Sequence, residues 1–133
     1  MTANSKKKIL IVDDEIEMAE MVTMRLEASG YEVATVCDGK SGFEKAKQWH
    51  PDLVILDIML PVMDGYEVCS ALKKDPRCGK IPIILVSAMD RKYDTDLGKK
   101  VGADFFFTKP FEPRGLLDKI KELLRHSKNS LSN

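Results

Sequence analysis

Three aspartates, a serine and a lysine stand where apolar runs of this sequence stop, and they are the residues best suited to chemistry. Asp13 and Asp14 end the run Ile9–Val12, and Asp57 ends Leu53–Leu56. Ser87 ends Ile83–Val86, and Thr108-Lys109-Pro110 ends Phe105–Phe107. Carboxylates held close together repel and raise one another's pKa values. A hard divalent cation relieves that repulsion, and Mg²⁺ takes carboxylate and carbonyl oxygens together with waters. Lys109 adds a positive charge and Ser87 a hydroxyl donor. A carboxylate nucleophile, Mg²⁺, a lysine and a hydroxyl together make a phosphoryl-transfer site. Each residue has a plainer use: Asp13-Asp14-Glu15 at a helix N-terminus, Asp57 in a turn, Ser87 as a helix N-cap, Lys109 as a solvated charge. Their joint placement at run ends favours the chemical reading.

The runs predict the elements that position these residues. Four of them are apolar at every residue, as strands covered on both faces of a parallel sheet are. Tyr31–Val36 is mixed and reads as an edge strand. Helical patterns lie between. Glu15–Ser29 puts Met18, Met21, Val22 and Leu26 on one stripe, with Gly30 as a stop. Ser41–Gln48 ends before Pro51, Gly65–Lys74 ends at Asp75-Pro76, and Arg91–Val101 contains Gly98. Pro113–Arg125 carries Leu116, Leu117, Ile120, Leu123 and Leu124 at helical spacing behind a first-turn proline. Five strands alternating with five helices predict an α/β fold, a doubly wound parallel sheet with right-handed crossovers and helices on both faces. In strand order 2-1-3-4-5 the ends of strands one and three flank the switch point where such sheets bind ligands. The polar residues of four distant segments then converge on one rim.

Composition narrows the function classes. The 133 residues suit one domain. Twenty-one basic and 21 acidic residues cancel, so no global charge excess points to nucleic acid or to an acidic tail. Cys37, Cys69 and Cys78 form no metal-ligand spacing with His50 or His126 and read as thiols of a reducing compartment. No apolar run approaches the roughly 20 residues of a membrane span. Met1 to Lys8 is followed by only four apolar residues, which argues against a secretory signal and for a cytoplasmic location. Residues 1–126 are read as the domain, and the polar stretch 127–133 as a frayed tail or the start of a linker.

These motifs resemble a known family. Ile9-Leu10-Ile11-Val12-Asp13-Asp14-Glu15, Asp57-Ile58-Met59-Leu60-Pro61-Val62-Met63-Asp64-Gly65, Ile83-Ile84-Leu85-Val86-Ser87-Ala88 and Gly102-Ala103-Asp104-Phe105-Phe106-Phe107-Thr108-Lys109-Pro110-Phe111 are similar, in that order, to the receiver domain of bacterial two-component response regulators. The resemblance runs from about Lys8 to Arg125. It implies a flavodoxin-like three-layer sandwich. It implies that Asp57 accepts phosphoryl from a histidine kinase or a histidine phosphotransfer protein. Asp14, Asp57 and the Met59 backbone carbonyl would bind Mg²⁺, with Asp13 helping directly or through water. Ser87 would hydrogen-bond the phosphoryl group and Lys109 would pair with it, with Lys109-Pro110 a cis peptide. Ser87 and Phe106 would be the switch residues, Phe106 standing where tyrosine is frequent. The face of helix four, strand five and helix five would then change its preference for a downstream effector protein or domain. A phosphorylation-dependent homodimer through that face is left open, and no direct nucleic-acid or membrane binding is expected. Met59 and Met89 would border the path of the hydrolytic water. Two apolar side chains there predict slow self-dephosphorylation.

Other functions share parts of this pattern. A flavin or nucleotide binder needs a Gly- or Ser/Thr-rich phosphate loop after strand one, where Asp13-Asp14-Glu15 would repel phosphate. A phosphoaspartate hydrolase of the haloacid-dehalogenase type carries a second aspartate two residues past its nucleophile, where this chain has Met59. A docking module that works without phosphorylation would not need the intact set Asp13, Asp14, Asp57, Ser87 and Lys109.

Overall fold

The computed structural model describes residues 6–88 and 92–132, without the side chains of 92–95 and 127–132. Strands and helices alternate along the chain: β1 Lys8–Val12, α1 Ile16–Ala28, β2 Glu32–Val36, α2 Gly39–Trp49, β3 Leu53–Asp57, α3 Gly65–Lys74, β4 Ile83–Ser87, α4 Lys92–Lys100, β5 Phe105–Thr108 and α5 Pro113–Ser132. All five strands are parallel, in the order β2-β1-β3-β4-β5. The expected order is the observed one.

Alternation along each strand divides the core into two layers. Leu10, Val12, Val54, Leu56, Ile83 and Leu85 face Ala46 of α2 and Val68, Cys69 and Leu72 of α3. Ile9, Ile11, Leu53, Ile55, Ile84 and Val86 face Ala19, Val22 and Leu26 of α1 and Leu116 and Ile120 of α5. Every residue of β3 and β4 is buried, which is why these runs are apolar at both parities.

The edges depart from the sequence reading. β5 is an outer strand, so its run is not covered like β3 and β4, and Phe105 is 36% exposed. Met21 lies on the open side of α1, 41% exposed, and Ala19 takes the buried place beside Val22. α2 begins at Gly39, two residues before the expected start, capped by the Asp38 carboxylate, which accepts from the Ser41 N–H at 2.8 Å. α5 continues past Arg125 to Ser132. Arg91, the expected start of α4, lies outside the described residues. Gly98 sits inside α4 because a Cβ there would come within 3.3 Å of both Leu85 and Phe106. A larger residue here would need those two side chains to give by a few tenths of an ångström.

Register sets the rim. Val12 pairs with Leu56, Asp57 with Val86 and Ser87 with Thr108. The carboxyl ends of β1, β3, β4 and β5 therefore lie within about two residues of one another, with Asp13 in register with Asp57 and Lys109 one residue beyond β5.

Candidate functional site

Asp57 closes β3 with 5% of its surface exposed. Its Oδ1 accepts the Met59 N–H at 3.1 Å, and its Oδ2 accepts from Lys109 Nζ at 3.1 Å. The loop beyond it folds tightly back. Gly65 N–H bonds the Ile58 carbonyl at 2.9 Å, and Asp64 caps α3 in a reciprocal box with Glu67. At Gly65 a Cβ would lie 2.4 Å from the Asp57 carbonyl oxygen, so only glycine lets α3 start against the strand end.

Asp13 is held from both sides. Its N–H bonds the Val36 carbonyl of β2 at 3.1 Å, and its Oδ1 accepts the Glu15 N–H at 2.8 Å. Its carboxyl pKa is pushed up to about 6, first by burial and then by the Asp57 charge, against the Glu15 N–H and Lys109. Lys109 Nζ lies 3.6 Å from Asp13 Oδ2 and also donates to Glu15. Burial alone would lower the pKa of this ammonium. Its bond to Glu15 and the charges of Asp57 and Asp13 outweigh burial and hold it above the ordinary lysine value. The peptide Lys109-Pro110 is cis, and Lys109 N–H bonds the Ser87 carbonyl at 2.7 Å.

Asp13, Asp14 and Asp57 each turn a carboxylate oxygen to a common point, the three oxygens lying within 4.8 Å of one another. Asp14 is exposed and opens this cluster to solvent. Three hard oxygens, no soft donor, and one acid whose ionisation is opposed by burial suit a small divalent cation.

The rim thus unites Asp13, Asp14, Asp57 and Lys109, with Ser87 buried at the neighbouring strand end, 2% exposed. Met59 contributes its backbone, and the residue is 62% exposed. Phe106 is apart from the carboxylates. It is half-buried among the α2–α3 layer, beside a groove of about 220 Å³ lined by Gly98, Lys99, Ala103, Asp104 and Phe105. Met89 lies outside the described residues. The sequence presents Glu15 as a helix start and carries no sign of its bond to Lys109. The two are 94 residues apart, and only the order of the sheet brings them together.

Known proteins share this architecture. A family model described as the response regulator receiver domain matches residues 9–121. The alkaline phosphatase synthesis transcriptional regulatory protein PhoP of Bacillus subtilis is 44% identical over 121 residues, 91% of this chain and 50% of its own length. The DNA-binding dual master transcriptional regulator RpaA of Synechocystis is 39% identical, over 90% of this chain and 50% of its own. This chain spans about half the length of these curated relatives. Among solved structures, a CheY-like receiver domain protein of Methanospirillum hungatei superposes with a TM-score of 0.89 at 32% identity, covering 95% of this chain and 99% of that one. The chemotaxis response regulator CheY4 of Vibrio cholerae gives 0.84 at 34%, covering 90% and 99%. With its fold, its acidic rim and its matched motifs, this chain belongs to the response regulator receiver domain family of two-component signalling.

Proposed function

We propose that this receiver accepts a phosphoryl group on Asp57 from a histidine kinase or a histidine phosphotransfer protein. The observation that carries the reading is the surround of Asp57: a buried carboxylate bonded to Lys109 at 3.1 Å, with Asp13 and Asp14 oxygens in one cluster with its own. A carboxylate oxygen of Asp57 attacks phosphorus and an O–P bond forms. The N–P bond of the donor breaks, and its nitrogen keeps the electron pair and takes up a proton. The Met59 N–H and the Lys109 ammonium orient the attacking carboxylate. Lys109 and the Ser87 hydroxyl are the donors for the transferred oxygens.

Asp13, Asp14, Asp57 and the Met59 carbonyl would hold Mg²⁺, which supplies positive charge against the oxygens of the transferring group. The chain acts as a phosphoacceptor that catalyses its own phosphorylation and its slow loss, with no turnover of a separate substrate.

The phosphoryl group adds close to two negative charges at the rim. Ser87 and its loop then close on it, and Phe106 turns inward beside Gly98. This shifts the population of the α4–β5–α5 face toward a form that a downstream effector protein or domain, or a second copy, recognises. The domain, with α5 running on to Ser132 past the expected boundary at 126, acts in the cytoplasm, without itself contacting nucleic acid or membrane. No helix among the described residues is long and apolar enough to cross a membrane. Acetyl phosphate with Mg²⁺ tests the reading: wild type gains one phosphoryl adduct and Asp57→Ala gains none.

A further inference from the structure

Lys109 is shared, and one of its holders is Glu15, a residue that neither the phosphoacceptor reading nor the acidic cluster uses. A lysine ammonium has three donors. Here they face Glu15, Asp57 and Asp13, and the bond to Glu15 is shorter than that to Asp57. Glu15 occupies the N-cap of α1, yet its side chain does not cap that helix. The backbone is fixed on both sides, its N–H on Asp13 Oδ1 and its carbonyl on the Ala19 N–H at 3.0 Å. The side chain thus leaves the usual task of an N-cap residue and reaches across the rim to the end of β5. Lys109 is 11% exposed and Glu15 61%, so the pair joins a confined cation to an acid that solvent can receive.

We propose that Glu15 is a positioning residue that rests Lys109 and competes with the phosphoryl group for it. The inference rests on Asp57 being the phosphoacceptor. A phosphoryl group on Asp57 needs ammonium donors for oxygens the free carboxylate does not have, and one of those donors is on Glu15. Transfer of Lys109 releases the Glu15 carboxylate to water. The exchange lowers the affinity of the site for a phosphoryl anion and makes the resting state easier to regain.

Beryllium fluoride, a phosphoryl mimic, measures the competition by calorimetry at saturating Mg²⁺. Glu15→Gln is expected to tighten its binding by about two- to five-fold, the worth of an exposed ion pair. Glu17→Gln removes a nearby exposed charge without touching Lys109 and serves as the control, with a smaller effect expected. In a Lys109→Ala background Glu15→Gln should tighten binding no more than Glu17→Gln does. Without metal or mimic, NMR should show the Lys109 ammonium protons exchanging faster with water in Glu15→Gln, and Glu15→Asp should restore part of the protection. Binding that is unchanged or weaker in Glu15→Gln, or tightening that survives loss of Lys109, overturns the inference. Wild type that binds no beryllium fluoride overturns the phosphoacceptor reading as well, so the two failures are distinguishable.

Discussion

Asp13 carries a cost that the proposed cation site explains. Its folded pKa of about 6 lies above the ordinary carboxylate value of 3.8 because burial and Asp57 oppose its charge. Between those two values the folded protein binds the extra proton, so stability falls as pH rises through the window and stays reduced above it. Asp13→Asn keeps an oxygen for the Glu15 N–H and removes the charge. In metal-free protein it should raise stability by roughly 1–3 kcal/mol at pH 8. The gain should vanish near pH 4, as thermal melts across the range would show. A pH-independent gain would mean that packing, not charge, is responsible. Met59 belongs to the same scale. Its N–H fixes Asp57 while its side chain offers no hydrogen bond to an attacking water. Phospho-Asp57 should therefore decay slowly, and Met59→Asn with Met89→Glu should hasten the decay. An unchanged decay rate in the double variant counts against the idea.

Elements place these residues through close approaches that side-chain chemistry alone does not reveal. α3 begins against the Asp57 carbonyl because Gly65 has no Cβ. Gly65→Ala should cost about 1–3 kcal/mol, as overpacked sites do, and should slow phosphorylation by displacing the end of β3. Gly115, on an exposed turn of α5, meets only Phe107 at 4.0 Å. Gly115→Ala should instead be neutral or stabilise by about 0.5–1 kcal/mol. Urea midpoints for the two variants would separate local crowding from a general intolerance of alanine; equal midpoints would remove the special role given to Gly65. Legibility follows the same physics. β1, β3 and β4 are plain in the sequence because burial on two faces demands unbroken apolar runs, and each run ends at a residue of the rim. Phe105 and Met21 read as core in the sequence but are exposed, because an edge strand and an outer helix face can carry the same residue types as a core. The hold of Glu15 on Lys109 has no local signature, since an acid after Asp13-Asp14 reads equally well as a helix start.

On the scale of the whole molecule, the sheet order makes four remote segments into one rim, and in the proposed switch the α4–β5 side reports on it. Phe106 touches the core through Leu85's layer and borders the groove beside Gly98, while Lys109 follows on the same strand end. Under the proposed function, a charge added at Asp57 acts through Lys109 on the strand that also lines the outer face. All of this depends on Asp57 taking the phosphoryl group. The most direct measurement is the intact mass of wild type, Asp57→Ala and Lys109→Ala after incubation with acetyl phosphate and Mg²⁺. The structure predicts one adduct on wild type, none on Asp57→Ala and slower accumulation on Lys109→Ala. An adduct that persists in Asp57→Ala, or release of many equivalents of phosphate per chain, would contradict it.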